Sequence, residues 1–345
     1  MSVSLSIPTR KGIYAQVIVC LPCYNESENL PELLQQIHNT LNSKSFSDKS
    51  KESSRIDGYK IIAVDDGSID DTGELLEDYA KIYPITVVRH NHNRGLAETY
   101  KTIIDTLELT AKNDDIAVFM DADNTHPAFI ISELIEKFYK ADVVVASRYK
   151  NGIEVGVPLK RRVLSKIVNW LIRNFCNVQI LDCTSGFRAY RVHVLKDLPP
   201  LESKGFEISS EVLIAISNHK PSYNIQEIPL TLQYDRKKGP SKIRLGPTIK
   251  GYIRLLSKYG KINLTPFFRQ ITYGINQRLG KTYDKDPVFW NDGIMALAFL
   301  IVSFFIYDSL ISSLPQILRL FGYVCIAFIS FCFQHILRRF WIFQK

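Results

Sequence analysis

Short apolar runs alternate with amphipathic stretches over the first two thirds of the chain. Each run is too short for an ordinary helix and is bounded by polar or turn-forming residues, so it predicts a buried strand. The predicted strands cover residues 17–21, 60–64, 85–89, 116–120 and 142–147. Between them, apolar residues recur at helical spacing, as at Leu30, Leu33, Leu34, Ile37 and Leu41.

The alternation of strands and helices predicts the fold class. Parallel strands joined by right-handed helical crossovers build a doubly wound α/β sheet, in the manner of a Rossmann fold. Farther along, the pattern predicts a long basic helix over residues 158–175, a helix over 207–218 and an alternating strand over 223–234.

Polar side chains follow three of the predicted strands at their carboxyl ends. They are Tyr24 and Glu26 after the first strand, Asp65 and Asp66 after the second, and Asp121 and Asp123 after the fourth. Open α/β sheets bind ligands outside the carboxyl ends of their strands. The sequence therefore predicts one binding edge.

Asp121 and Asp123 are the strongest candidates for chemistry at that edge. Residues two apart on an extended chain point to the same side, so both carboxylates can converge on one point. Paired carboxylates suit Mg²⁺ or Mn²⁺, which keep open positions for diphosphate oxygens. A simple turn ahead of the next helix is the alternative.

No glycine-rich phosphate cradle accompanies these acidic residues. The chain has neither G-x-G-x-x-G after its first strand nor G-x-x-x-x-G-K-[ST] anywhere, which disfavours dinucleotide oxidoreductases and P-loop phosphotransferases. A nucleotide held by carboxylates and a metal points instead to a sugar nucleotide.

The positive charge of the chain is concentrated in one segment. The whole sequence of 345 residues has a net charge of +8, whereas residues 236–281 alone contain twelve Lys or Arg and no Asp or Glu. Such a segment favours an anionic partner, which is either nucleic acid or a lipid surface. The predicted helix over residues 249–259 is amphipathic and suits a lipid surface.

Two uncharged apolar segments, 293–307 and 320–333, decide between these partners. Trp290 and Trp341 lie at their outer ends, and Arg338 and Arg339 follow, as is typical of membrane helices. A buried hairpin of core helices is the alternative. We expect a membrane partner, not nucleic acid, and the positive-inside rule predicts that the catalytic domain and the C-terminus are cytoplasmic.

These patterns predict three parts of the chain. Residues 1–235 form a cytoplasmic catalytic domain, 236–288 form basic juxtamembrane helices, and 289–345 form a two-helix transmembrane hairpin. The membrane would be the plasma membrane in a bacterium or archaeon and the endoplasmic reticulum in a eukaryote.

A series of short motifs resembles the family 2 glycosyltransferases. The motifs are Pro22-Cys-Tyr-Asn-Glu26, Asp65-Asp-Gly-Ser68, Asn93-Arg-Gly95, Asp121-Ala-Asp123, Ser147-Arg-Tyr149, Thr184-Ser-Gly-Phe-Arg188 and Arg236-Lys-Lys-Gly-Pro-Ser-Lys242. In combination they are most similar to dolichol- or polyprenyl-phosphate mannosyltransferases. The resemblance implies a GT-A fold that binds a nucleoside diphosphate sugar. The absence of Q-x-x-R-W, typical of processive synthases, favours transfer of a single sugar.

The resemblance also implies roles for the residues that bind the donor. Asp121 and Asp123 would hold the metal, with Thr125 where the family often has Gln. Arg236, with help from Lys242, would clasp the donor phosphates, although a solvated charge is the alternative for Arg236. The residues implied to bind the nucleotide are Pro22, Tyr24, Glu26, Asp65, Asp66 and Asp121. The catalytic residues would be Asp123, Arg148 and Arg236.

The acceptor would be a polyprenyl phosphate. A phosphate monoester needs no general base, because its second pKa near 6 leaves it largely ionised at neutral pH. It needs cations, and Arg148, Arg161 and Ser165 match the family's acceptor-phosphate contacts. Arg162 and Lys160 remain alternatives to Arg161.

GDP-mannose is the expected donor. Transfer of glucose or an aminosugar from a UDP-sugar to the same lipid is a second hypothesis, and a non-catalytic, membrane-tethered binder of nucleotide sugars is a third.

Overall fold

The computed structural model describes residues 15–43, 56–239, 241–243 and 245–260. The strands are β1 (Ala15–Cys23), β2 (Ile56–Asp65), β3 (Ile85–Arg89), β4 (Ile116–Phe119), β5 (Val143–Ser147), β6 (Ile153–Val155), β7 (Arg188–Arg191), β8 (Ile225–Pro229) and β9 (Thr231–Gln233). The α-helices are α1 (Leu30–Leu41), α2 (Thr72–Tyr79), α3 (Leu96–Thr110), α4 (Ile130–Glu136), α5 (Leu159–Phe175), α6 (Val192–Lys196), α7 (Ile208–Ser217) and α8 (Leu245–Tyr259). Short 3₁₀ turns cover Lys137–Tyr139 and Tyr234–Arg236.

A seven-stranded sheet in the order β3-β2-β1-β4-β7-β5-β8 forms the centre of the fold. The predicted α/β class and doubly wound sheet are confirmed. Alternate residues of β1 enter two different cores: Val17 and Val19 pack on one face with α1 and α4, and Ile18 and Cys20 pack on the other with α3, α5 and α7. The predicted strand ended at residue 21, but β1 continues through Pro22 to Cys23.

Strand β7 breaks the parallel pattern because it runs antiparallel to both β4 and β5. Its sequence, RAYR, carries no apolar run, so periodicity did not predict it. The first residue, Arg188, is fully buried and donates hydrogen bonds to the carbonyl oxygens of Cys183 and Ser209. Backbone acceptors therefore bind both Nη atoms of a charged group that sequence patterning would place on the surface.

The single strand predicted over residues 223–234 is two strands in two sheets. β8 pairs with β5 at the edge of the main sheet, and β9 pairs with β6 in a separate two-stranded sheet, which we call the β6–β9 ribbon. Leu230 lies between them, and its backbone bonds to Ser147 on one side and Ile153 on the other. The amide of Gln233 bonds to the carbonyl of Thr125, which places the ribbon beside the loop after β4.

The predicted amphipathic helix is confirmed as α8, but part of its apolar surface packs on the catalytic domain. Leu255 and Leu256 are buried in the same core as Val168 and Ile172 of α5. Lys250 and Arg254 stay exposed and available to an anionic surface.

No helix in the described part of the chain is long and apolar enough to cross a membrane. Residues 261–345, which include both predicted membrane helices, lie outside the described residues. The three-part division of the chain stays a prediction.

Candidate active site

Three neighbouring strands, β1, β2 and β4, end in turns that contain a left-handed residue. These residues are Asn25, with φ 50°, Gly67, with φ 66°, and Asn124, with φ 61°. Asn and Gly are the residues that adopt this conformation most readily. Each turn brings the polar residues after its strand to the carboxyl edge of the sheet, as predicted.

Asp66 holds the neighbouring loop in place. Its carboxylate accepts hydrogen bonds from the amides of Arg94 and Gly95, at 2.9 and 2.8 Å, and pairs with the ring of His90 at 2.7 Å. Asp65, also buried, accepts from the amide of Ser68 at 3.0 Å. Both carboxylates thus have structural partners, and their role in binding a nucleotide stays a prediction.

Glu26, Tyr24 and Lys242 form one group at the end of β1. The Lys242 ammonium forms an ion pair with Glu26, bonds to the Tyr24 carbonyl and lies 5.8 Å from the centre of the Tyr24 ring. Asn29 donates to the second Glu26 oxygen at 2.7 Å. Burial raises the pKa of Glu26, although Lys242 opposes the shift. The structure therefore brings together three residues that the sequence assigned to the donor.

Asp123 and Thr125 also meet at the carboxyl edge. The Thr125 hydroxyl donates to Asp123 Oδ1 at 2.7 Å, and its amide donates to the same oxygen at 3.2 Å. The Lys237 ammonium bonds to the other oxygen. Burial alone would raise the pKa of Asp123, but Lys237 and the Thr125 hydroxyl outweigh it and lower the pKa, so this carboxylate is ionised.

Asp121 is more open than Asp123. Its side chain is 45% exposed, and its amide donates to Nδ1 of His126 at 3.0 Å. Despite this exposure, the protein packed around the carboxyl and the nearby charge of Asp123 raise the pKa of Asp121, while His126 opposes the rise. A Cβ added at Gly186 would lie 3.3 Å from Asp121 Oδ1, so the loop before β7 passes close to this carboxylate.

The chemistry of these donors fits a hard divalent cation. Asp121 and Asp123 offer carboxylate oxygens from one short loop, and Mg²⁺ or Mn²⁺ takes its remaining ligands from water and substrate phosphate. Thr125 uses its hydroxyl on Asp123, so it supports that carboxylate and binds a metal directly only if the hydroxyl turns. No cluster of three or more His, Cys, Asp or Glu suited to a metal occurs among the described residues.

Lys237 and His126 were not singled out from the sequence. Lys237 belongs to a run of three cations, and only the fold shows which of them reaches Asp123. Arg236 instead pairs with Glu32 of α1 and donates to Gln233 at 3.3 Å. Its assignment to the donor phosphates stays a prediction.

Arg148 is bound tightly by Asp182, a residue that sequence reasoning missed. Its Nε and Nη2 atoms each donate to one oxygen of Asp182 at 2.7 Å, and Nη2 also donates to Thr184 at 2.7 Å. Asp182 is fully buried. Burial would raise the pKa of Asp182, but Arg148 overcomes this effect and lowers it.

Ser165 joins the same network, and its contact with the acceptor phosphate stays a prediction. Its hydroxyl lies 3.2 Å from Arg148 Nη2, 3.0 Å from the Tyr149 hydroxyl and 2.9 Å from Thr184 Oγ1. Arg148, Ser165 and their partners therefore form a single polar cluster, which we call the Arg148 cluster.

The structure distinguishes Arg161 from Arg162. Arg161 donates to the Tyr234 hydroxyl and lies 5.1 Å from the centre of that ring, and its charge opposes the rise in the pKa of Asp121. Arg162 pairs with Glu154 at 3.3 Å. Arg161 thus acts electrostatically on Asp121, one of the two predicted metal ligands, which favours it over Arg162.

The family model for "Glycosyl transferase family 2" matches residues 18–199, more than half of the chain. This chain belongs to glycosyl transferase family 2. The match covers the strand ends that carry both aspartate pairs and the loop that carries Asp182, and it stops before β8.

Three relatives are 30 to 34% identical to the chain over about 70% of its length. A dolichol-phosphate mannosyltransferase of Pyrococcus furiosus is 34% identical over 69% of the chain, which spans 62% of that relative's length. A polyprenol monophosphomannose synthase of Mycolicibacterium smegmatis is 31% identical over 71% of the chain and 87% of the relative. An undecaprenyl-phosphate mannosyltransferase of Micrococcus luteus is 30% identical over 67% of the chain and 88% of the relative.

Solved structures confirm the fold. Glucosyl-3-phosphoglycerate synthase from Mycobacterium tuberculosis, solved with Mn²⁺, UDP and glucosyl-3-phosphoglycerate, matches with a TM-score of 0.53 at 19% identity, over 72% of this chain and 81% of that one. A mycobacterial protein matches with a TM-score of 0.52 at 18% identity, over 72% and 75% of the two chains. The catalytic domain is thus a GT-A-like, Rossmann-like α/β glycosyltransferase domain.

Proposed function

We propose that this glycosyltransferase moves one mannose from GDP-mannose to the phosphate of a polyprenyl phosphate, with inversion at the sugar carbon. The names of the relatives support mannose as the transferred sugar and a polyprenyl phosphate as the acceptor. The observation that carries the proposal is that Asp121 and Asp123, which we call the acidic group, lie close to the Arg148 cluster.

One loop connects these two groups of residues. Thr184 bonds to Arg148, and two residues later Gly186 lies against Asp121. A Cβ at this position would be tighter than most such contacts, so the Asp121 carboxylate would have to shift by a few tenths of an ångström. A diphosphate held at Asp121 and a phosphate held near Arg148 would therefore be neighbours across the loop.

The acidic group would bind the donor diphosphate through Mg²⁺ or Mn²⁺. Such an ion neutralises the charge that develops on the departing diphosphate. Asp123 is ionised and Asp121 is open to solvent, which suits them to hold the ion. Lys237 lies beside them and supplies a second positive charge close to the diphosphate.

The acceptor phosphate would be oriented by cations and would act as the nucleophile without a base. Arg148 and Arg161 would neutralise it, and the hydroxyls of Ser165 and Tyr149 would donate hydrogen bonds. Charge-assisted bonds of this kind are short and directional, so they align the attacking oxygen with the sugar.

Exposed apolar side chains near these residues support a lipid acceptor. The side chains belong to β6 and the first two turns of α5, which also carry Glu154, Arg161 and Arg162. They are Ile153, Val155, Leu159 and Val163, with exposures of 59, 38, 71 and 41%. Four large apolar residues at solvent-exposed positions suit contact with a hydrocarbon chain.

We also propose that the protein is membrane-bound, with the catalytic domain and both chain ends in the cytoplasm. The basic segment 236–281 and the apolar segments after it support this arrangement. In sealed right-side-out vesicles, tags at either end should be protected from protease, and a tag within residues 309–313 should be cleaved. Cleavage of a C-terminal tag from outside would contradict two spans.

A donor screen tests the proposed activity. Purified full-length protein is mixed with polyprenyl phosphate, Mn²⁺ and radiolabelled GDP-mannose, UDP-glucose or UDP-N-acetylglucosamine, and lipid-extracted product is counted. We expect product from GDP-mannose alone. Product from a UDP-sugar would replace the donor assignment, and no product from any donor would support the non-catalytic alternative.

A further inference from the structure

One edge of Arg148 is only weakly occupied. A guanidinium has five N–H groups. The Nε group and both Nη2 groups are used on Asp182 and Thr184, each at 2.7 Å, with Ser165 at a longer 3.2 Å. Only Nη1 is left to meet a ligand, and Nη1 faces Glu154 at 3.5 Å.

Glu154 lies between two arginines. One of its oxygens is 3.5 Å from Arg148 and the other is 3.3 Å from Arg162 Nε. These separations exceed the 2.7 Å of the Arg148–Asp182 bonds, so Glu154 is the weaker of the two carboxylate partners. Its side chain is only 7% exposed, and this burial strengthens its electrostatic effect on the site.

We propose that Glu154 selects a doubly charged phosphate monoester over singly charged phosphodiesters at the acceptor site. The inference rests on the proposed function. A phosphate that binds Arg148 must contact Nη1, the atom that Glu154 now faces. A phosphodiester carries one negative charge, as Glu154 does, and gains little by displacing it. A monoester carries about −1.5 to −2 at neutral pH and displaces it favourably.

The selection matters at a membrane, where the acceptor would compete with bilayer phosphodiesters in large excess. Without Glu154, any anionic headgroup could occupy the arginines.

Glu154 lies outside the seven-stranded sheet. It belongs to the β6–β9 ribbon, whose strands have three residues each and pair with no other strand in the described part of the chain. The main sheet has no ladder hydrogen bonds to β6, and Ile153 and Val155 on either side are exposed. A shift of β6 would therefore leave the seven-stranded sheet intact.

The test compares two ligands that differ by one charge. Farnesyl phosphate is a monoester, and farnesyl methyl phosphate is the matching diester with the same chain. Their binding to full-length protein is measured by calorimetry, and their competition with polyprenyl phosphate is measured in the transfer assay.

For the wild type we expect the monoester to bind at least tenfold more tightly than the diester. Glu154→Gln should reduce this ratio about tenfold, mainly by tighter binding of the diester. Glu154→Asp, which keeps the charge, should keep most of the ratio. Glu98→Gln, which changes a half-buried carboxylate paired with Arg94 and Lys101, is the matched control.

An unchanged ratio in Glu154→Gln would overturn the inference, and so would weaker binding of both ligands. Binding of GDP-mannose confirms that each variant is folded. If the wild type binds both ligands but transfers no sugar to polyprenyl phosphate, the proposed function fails, while the binding ratio still decides the role of Glu154.

Discussion

The Lys237 ammonium group bonds directly to Asp123, one of the two carboxylates assigned to the metal. The contact gives Asp123 a counter-ion from the protein itself and lowers its pKa. A divalent ion at Asp123 would have to share this carboxylate with the lysine or displace it.

Lys237→Met should strengthen the binding of Mn²⁺, because no ammonium then competes for Asp123. We expect a three- to tenfold lower dissociation constant for Mn²⁺ alone, measured by calorimetry. Lys238→Met is the control, since Lys238 is exposed and lies 4.0 Å from Glu32. Equal or weaker Mn²⁺ binding in Lys237→Met would show that the lysine does not compete with the metal.

Asp123→Asn should abolish metal-dependent turnover while the protein stays folded, because a neutral amide is a poor ligand for a hard dication. The measurement is sugar transfer over a range of Mn²⁺ and Mg²⁺ concentrations. Asp78→Asn, at an exposed position paired with Lys81, serves as control. Full activity of the wild type in the presence of a chelator would refute the metal assignment.

Arg161→Ala should affect the acceptor and leave the donor nearly unaffected. Loss of one charge-assisted phosphate contact costs roughly 1.5 to 3 kcal/mol, or about ten- to a hundredfold in kcat/KM for polyprenyl phosphate. Arg236→Ala should instead weaken donor binding in the presence of metal. Arg173→Ala, at an exposed position on the same helix as Arg161, should change neither.

Calorimetric titration with GDP-mannose separates these outcomes. Loss of donor binding in Arg161→Ala, with donor binding kept in Arg236→Ala, would reverse the division of the two arginines. Lys237 would be the next candidate for the donor phosphates if Arg236→Ala had no effect, because it is the cation that lies at Asp123.

Asp182→Asn should destabilise the fold, because Arg148 would keep its buried charge without its closest partner. Removing one member of a buried pair costs about 3–5 kcal/mol. The pKa of Asp182 in the folded protein is below its usual value of 3.8, so the pair stabilises the protein fully above that pH. As the pH falls further, through the folded pKa, this contribution is lost.

The difference in the free energy of unfolding between wild type and Asp182→Asn, measured in urea, should therefore be constant near neutral pH and shrink below about pH 3.8. A difference that does not change with pH would mean that lost packing, and not the lost charge, destabilises the variant.

Gly67→Ala should lower the melting temperature. Gly67 has φ 66°, and an added Cβ would lie 2.4 Å from a backbone atom of His92, so the loop after β3 would have to move. A residue with a side chain that is held at such a positive φ lowers the stability of the folded protein by about 1–3 kcal/mol. Gly246→Ala, where nothing lies within 4 Å of the added Cβ, should cause no loss of stability.

The sequence predicted the features that follow from local pattern. Apolar runs placed β1, β2, β3, β4 and β5, and the polar residues after β1, β2 and β4 lie at the carboxyl edge of the sheet, where the candidate site was expected. The antiparallel β7 was missed because an arginine such as Arg188 is normally expected at the surface. It is buried here because the backbone carbonyls of Cys183 and Ser209 accept its hydrogen bonds.

The residues that contact the candidate site residues could not be predicted from the sequence, because they are distant along the chain. Asp182 meets Arg148, and Lys237 meets Asp123, across separations of 34 and 114 residues. Such contacts depend on the order of the strands in the sheet. That order cannot be inferred from the chemistry of individual residues. Motif resemblance found Arg148, Ser165 and Asp123, but it could not show which neighbouring charges they meet.

The position of β8 and β9 also affects how the protein can be shortened for experiments. The family match ends at residue 199, yet β8 covers the edge of β5, and Lys237 and Lys242 follow β9. A fragment cut at the end of the match would expose an unpaired strand edge and would be prone to aggregate. Leu255 and Leu256 complete the core, so a soluble version for crystallisation should extend at least through residue 259.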